Sequence, residues 1–453
     1  MKLTDVIKPG RIIFRGRTYT PDEVRANIDD LARHLSTILP PDKPFVYLSG
    51  VNHAKFIFAY FAIIKAGRIC VIVDPKTGPI EYGEYLEKVS PAAVIKINCD
   101  TMEWDLAEEI KIRDNGAEYT DELDDVCTMI FHAADDGYAK ALMLTNRSLW
   151  ADAEAGARAN GSTEANLFCA LIPFCALFGI AVGILTPFVT GAGIRIASPL
   201  QRTTEASADA ERVTDLFTTP AVTHFLLKND KSKSIFAPDA QVTSGGLPLP
   251  MRQFEEFQDR FGIPIRQGYG LSEASPVCTW NRPGLAIRPE SVGTPYSCTK
   301  VKVVGEDGNI VPARKHGTIL VCGQNLFKGY YRELSSTQKV LSNGWFDTRD
   351  MGYLDEDGYL YLLKNCRRML NAMGTKVFPS EIERLVRMNS NVEDLFVFGV
   401  WRGTAGHSIY AEVRLKQSDN GAINKLKVWC ARSISKFKTP KFVIAEPGKQ
   451  LGG

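Results

Sequence analysis

Short, almost wholly apolar runs recur along this chain at 45–48, 71–73, 93–97, 129–131, 168–172 and 194–197, with helical stretches between them. A strand that is apolar on both faces must be covered on both, so the pattern predicts an α/β fold in which helices pack over buried sheets. At 453 residues the chain is too long for one core and should divide. Around Lys364-Asn365-Cys366-Arg367-Arg368 the apolar pattern stops and charge takes over. That break predicts a large N-terminal domain of layered sheets and helices at 1–363, a hinge at 364–368 and a small α+β C-terminal domain at 369–453. In the last, strands are expected near 392–400 and 409–415, and a helix near 423–433.

Composition narrows the partners. A net charge of +2, with 45% apolar and 23% charged residues, gives no electrostatic footing for nucleic acid or a membrane surface. The ten cysteines contain no CxxC pair and no Cys/His cluster, which argues for reduced thiols in a cytoplasmic protein rather than zinc or disulfides. No basic stretch followed by an apolar one opens the chain, so secretion is not expected. Residues 165–194 carry no charge and are long enough to span a bilayer, but Pro173, Pro187 and several glycines divide them. They are read as a buried strand, a buried helix and another strand.

The segment Gln267-Gly268-Tyr269-Gly270-Leu271-Ser272-Glu273 sets glycines and a serine around one aromatic and one carboxylate. Small residues let backbone approach a flat ligand, Tyr269 offers a stacking face, and Glu273 can hold a hard cation such as Mg²⁺. A turn-rich Ser244-Gly245-Gly246-Leu247-Pro248 and a helix-like run over 251–261 precede it. Lys43 to Tyr47, Phe56 to Gly67, Leu171-Ile172-Pro173-Phe174 with Phe178-Gly179, and Ser291 to Pro295 lie in order around it. Gly344-Trp345-Phe346-Asp347-Thr348-Arg349-Asp350, Asp355 to Tyr359 and Val377 to Glu383 follow. In this order and spacing the segments resemble the adenylate-forming superfamily of acyl-CoA synthetases, peptide-synthetase adenylation domains and luciferases, almost from end to end.

The resemblance implies that a carboxylate attacks the α-phosphate of ATP to give an acyl-adenylate, whose acyl group then passes to a thiol of CoA or phosphopantetheine. It implies nucleotide contacts at Gly246, Tyr269, Gly270 and Ser272, magnesium at Glu273, and ribose at Asp350. Phe174 and Ala176 fall in the acid-pocket segment. Ala176 stands where a histidine or aromatic commonly gates that pocket, although plain core accounts for both residues equally well. Gly374 matches the glycine that lines the pantetheine channel once the small domain has rotated about the hinge; a turn glycine is as good an account.

The ATP side departs from the family. Its phosphate loop reads roughly Tyr-Thr-Ser-Gly-Thr-Thr-Gly-x-Pro-Lys-Gly, whereas this chain has Phe131-His132-Ala133-Ala134-Asp135-Asp136-Gly137-Tyr138-Ala139-Lys140-Ala141. Gly137 and the candidate catalytic Lys140 remain, but every Ser/Thr hydroxyl is gone. Asp135 and Asp136 stand where a polyphosphate would lie. At about 5 Å and an effective dielectric of about 20, each carboxylate–phosphate pair costs about 3 kcal/mol, and Lys140 offsets roughly one. Arg349 replaces the glycine of the Thr-Gly-Asp signature, and Lys364 to Arg367 replace the Gly-Arg-x-Asp hinge. The terminal catalytic lysine has one match, Lys449 in Gly448-Lys449, which comes several residues early after Lys438-Thr439-Pro440. A shortened loop or a solvated C-terminus fits Lys449.

The expectation is therefore an acyl- or aryl-CoA ligase-like protein, impaired in its use of ATP and Mg²⁺, that moves acyl groups between thioesters, from CoA to the phosphopantetheine of an acyl carrier protein or the reverse. The alternatives are an active AMP-forming ligase and a non-catalytic scaffold that binds a carrier protein or a sister enzyme. A homodimer is the prior for a soluble enzyme. His132 and His224 are candidate bases by residue type alone, and packed histidines explain them better.

Overall fold

Strands that read as apolar on both faces are buried on both. Phe45–Gly50 and Ile69–Val73 have no exposed position along their lengths. They pair parallel to each other, and Ala93–Ile97 and Val126–Ala133 extend the ladder in parallel on either side. The structure is a computed structural model; it describes residues 1–97, 110–113, 116–133, 136–197, 211–229, 235–363, 370–372, 375–402, 406–417, 421–445 and 451, less the side chains of 133 and 371–376. Asp135, Gly374, Lys449 and the hinge at 364–368 lie outside the described residues.

The chain divides into two compact units. One takes Met1–Asp74, Pro91–Ile130 and Leu142–Lys364; the other takes Pro75–Ser90, Phe131–Ala141 and Asn365–Gly453. The second thus gathers two segments from early in the chain.

Among the described residues the first unit is built on three sheets. Besides the parallel ladder there is a longer sheet through Ile265–Gly270, Phe236–Ser244, Val213–Thr218, Leu167–Ala170 and Gly193–Ile196, parallel throughout that stretch. A third, antiparallel sheet contains Thr299–Val304, Gly317–Gly323 and Trp345–Leu354. Helix Ala54–Lys65 is buried from Ala54 to Ile64, as its nearly all-apolar sequence requires. Helix Pro21–Ile38 starts where Thr20 and Glu23 cap each other's backbone N–H groups and Pro21 presets the first turn. The uncharged stretch at 165–194 resolves into strand Leu167–Ala170, short helical turns across Leu177–Thr190, and strand Gly193–Ile196. Among the described residues no helix is long and apolar enough to cross a membrane.

In the second unit, strands Val392–Trp401 and His407–Leu415 pair antiparallel, and Lys441–Ile444 adds in parallel. Helix Pro379–Arg387 buries Ile382, Leu385 and Val386, and helix Ala422–Ser433 buries Leu426 and Cys430, in one core with Val397, Ala411 and Val413. The i, i+3, i+4 spacing on the first helix makes that face. Ile80, from helix Pro79–Lys88, packs against the same core.

Candidate active site

In the first unit, strand Ile265–Gly270 runs into the one-turn helix Ser272–Ala274, and these two elements carry the residues singled out by the sequence. A Cβ added at Gly270 would collide with the carbonyl oxygen of Pro276, so the chain's own turn already requires glycine there. Gly246 has φ +81° and open space beside it, so its need is conformational. Tyr269 is 8% exposed, and its hydroxyl donates to Oδ2 of Asp350 at 2.7 Å. Burial first, and then the charge of Asp350, push the phenol well above its ordinary pKa and keep the proton on that hydroxyl. Asp350 is fixed in turn: its N–H donates to Thr348 Oγ1, and the Thr348 hydroxyl donates to the Ile319 carbonyl. Arg349, between them, has φ +55°, a left-handed conformation that a glycine would take without strain.

Glu273 is 5% exposed and its Oε1 accepts a hydrogen bond from the Tyr330 hydroxyl at 3.1 Å. Its carbonyl accepts from the N–H of Phe327. The segment that follows is held by two buried side chains. Asn325 donates to the carbonyls of Ala274 and Val277 at 2.9 and 3.0 Å, and its Oδ1 accepts from the Thr299 hydroxyl. Asp152 accepts from the N–H of Val277 at 3.0 Å. Burial pushes the Asp152 carboxyl well above the ordinary range. Among the described residues no three His, Cys, Asp or Glu side chains group to form a metal cage. A lone buried carboxylate suits Mg²⁺, which keeps several waters and binds one or two carboxylates together with substrate phosphates.

Phe174 has no exposure; its ring packs 5.6 Å from that of Phe56, and its N–H donates to Asn52 Oδ1. It belongs to the core. Ala176 is half-buried at the start of helix Leu177–Ile180. The Phe178 ring lies 2.8 Å from where a Gly245 Cβ would stand, so Gly245 makes room for that ring.

The altered loop lies in the second unit. Asp136 folds it into a turn, accepting from the N–H of Tyr138 at 3.0 Å and pairing with Lys140 Nζ at 3.0 Å. Partial burial opposes its ionisation, but the Tyr138 N–H and Lys140 hold its carboxyl below the usual value. Lys140 therefore meets the acid beside it. Gly137 has φ +82°, and its carbonyl accepts from Arg384 Nε at 2.9 Å. His132 packs edge-on to Phe378, and His224 is half-buried on helix Pro220–Lys228, in keeping with packed histidines.

A family model described as AMP-binding enzyme matches residues 7–331. The chain belongs to that family. It is 27% identical over 455 residues to a feruloyl-CoA synthase from Amycolatopsis sp., with 94% of this chain and 90% of the relative covered. It is 28% identical over 331 residues to the 2-succinylbenzoate–CoA ligase of Geobacillus kaustophilus, covering 71% of this chain and 65% of that one. In fold it resembles o-succinylbenzoate CoA synthetase from Bacillus subtilis, solved with a product analogue, at a TM-score of 0.84 and 21% identity over 99% of this chain and 95% of the other. The AMP-binding motifs led to Tyr269, Glu273 and Asp350, and the structure brings Tyr269 and Asp350 into contact. They did not lead to Asn325 or Tyr330, which no local spacing links to the turn they hold. Asp152 had a faint signal, an acid among the small residues Ala151, Ala153, Ala155 and Gly156.

Proposed function

We propose that the chain is an AMP-forming ligase that activates an acyl or aryl carboxylic acid with ATP and hands it to the thiol of CoA. The observation that carries this reading is the Tyr269–Asp350 hydrogen bond, which braces an adenine-stacking ring against a ribose-binding carboxylate beside the buried Glu273. In this reading the Tyr269 ring stacks on the base, Asp350 accepts from ribose hydroxyls, and Glu273 holds Mg²⁺, which neutralises charge on the phosphates. Lys140 and Lys449 neutralise phosphate oxygens as the carboxylate attacks. Gly374 leaves room for the pantetheine arm. The two relatives with aromatic acids in their names, matched over 94% and 71% of this chain, favour an aryl substrate over the fatty acids that other relatives' names carry.

The test is release of pyrophosphate from Mg-ATP with CoA and a panel of cinnamic, benzoic and fatty acids, with the acyl-CoA product identified by mass. Release that depends on one acid class, with the matching thioester, is expected. If no acid releases pyrophosphate, the reading falls.

One observation favours a second reading, acyl exchange between thioesters without ATP. Asp136 occupies the Tyr138 N–H and Lys140, two donors that a phosphate would use. A thioester is already activated, so such exchange needs positioning rather than a nucleotide. Transfer of label from an acyl-CoA to a carrier protein's phosphopantetheine in the absence of ATP would support it.

A further inference from the structure

We propose that Glu84, Arg384 and the Gly137 carbonyl form a latch that holds the segment 136–140 shut against nucleotide; the proposal rests on the ligase reading above. Within the second unit, helices Pro79–Lys88 and Pro379–Arg387 face each other through two rungs spaced three residues apart on each helix. The first rung is a buried anchor. Lys438 Nζ lies 2.7 Å from both Glu81 Oε1 and Glu381 Oε1, and Glu81 also accepts from the N–H and hydroxyl of Ser435. The second rung is Arg384, whose two terminal nitrogens donate to the two oxygens of Glu84 at 2.5 and 2.8 Å.

The second rung hydrogen-bonds the loop directly. With its fork held by Glu84, Arg384 turns Nε onto the Gly137 carbonyl at 2.9 Å, and its guanidinium lies 4.6 Å from the centre of the Tyr138 ring. The backbone is pressed close here: a Cβ at Gly137 would stand 2.9 Å from the Ser380 carbonyl oxygen. Tyr85, one residue after Glu84, stacks on Phe131 with ring centres 3.8 Å apart, at the end of the strand that leads into the loop. These polar contacts of the loop run inward, Gly137 C=O to Arg384 and Tyr138 N–H and Lys140 to Asp136. A phosphate nest needs N–H groups and a cation turned toward the ligand.

The two rungs differ in how readily they part. The side chains of Lys438, Glu81 and Glu381 are 8%, 1% and 2% exposed, whereas Arg384 and Glu84 are 19% and 23% exposed. Parting buried charges leaves them without compensation, while water reaches the Arg384–Glu84 pair. Opening therefore breaks the second rung and keeps the first. A binding-competent state of small population weakens apparent affinity by that population, so disabling the latch should tighten ATP binding.

The experiment compares wild type, E84Q and R384A by titration with Mg-ATP and by amide hydrogen exchange across 136–141. Both variants should exchange faster in that segment and bind ATP tighter by about tenfold. E84Q, nearly isosteric, carries the test if R384A does not fold. Weaker ATP binding in R384A with no change in E84Q would make Arg384 a phosphate ligand and overturn the latch. Unchanged affinity and exchange in both would also overturn it. If no protein binds ATP, the ligase reading fails, and exchange decides alone: faster in both variants upholds the latch, unchanged removes it.

Discussion

The hydroxyl of Tyr269 reaches across 81 residues of sequence to donate to Oδ2 of Asp350 at 2.7 Å. In the proposed reading that bond joins an adenine-stacking ring to a ribose-binding carboxylate. Replacing Tyr269 with Phe keeps the stacking ring and removes the donor. A hydrogen bond to a charged group contributes about 1.5–3 kcal/mol, so AMP affinity should fall by about ten- to a hundredfold with the fold intact. Calorimetric titration of AMP into wild type and Y269F checks this, and equal affinities would mean that Asp350 needs no help from the phenol.

Asp152 should make stability depend on pH in an unusual direction. Its folded carboxyl is pushed well above the ordinary 3.8 by burial. The folded protein therefore holds a proton that the unfolded chain releases, and stability from this group is complete below 3.8 and lost as pH rises. Asn imitates the protonated acid and still accepts from Val277. Urea unfolding of wild type and D152N should show the wild type losing ground to the variant between pH 4.5 and 8. A difference that stays constant over that range would refute the shift.

His53 acts oppositely. Its Nδ1 accepts from the N–H of Lys55 at the start of helix Ala54–Lys65, while its buried Nε2 has no hydrogen-bond partner among the described residues. Burial first, then the charges of Lys55 and Arg15, lower its pKa from 6.5 to about 4. The unfolded imidazole takes up a proton that the folded one refuses, so stability falls as pH drops from 6.5 toward 4, by about 3 kcal/mol at full effect. His53→Asn keeps a capping acceptor and removes the titration. Its unfolding free energy should be flatter than the wild type's across that window.

Arg349 occupies a left-handed backbone position at φ +55°. A residue with a Cβ costs about 1–2 kcal/mol there, partly recovered against glycine by its smaller unfolded-state entropy. R349G should therefore raise the unfolding free energy by a net ~0.5–1 kcal/mol and the urea midpoint with it. An unchanged or lower midpoint would show that contacts of the Arg349 side chain outweigh the strain.

The sequence by itself determined the layered α/β class, because unbroken apolar strands can be buried only under helices on both faces, and that rule acts locally. It determined the family as well, because Tyr269, Glu273 and Asp350 sit in short motifs whose order survives without any knowledge of contacts. Tertiary structure alone decided what surrounds them. Asn325 holds the carbonyls of Ala274 and Val277 from about fifty residues away, Glu273 takes the Tyr330 hydroxyl, and Phe174 sinks into the core. The loop around Asp136 and Gly137 is the sharpest case. Its lost hydroxyls were legible, but Arg384 closing on Gly137 across 247 residues of sequence was not. Hydrogen bonds and ion pairs between residues far apart in sequence leave no periodic trace in composition, and only the folded chain brings the partners within reach.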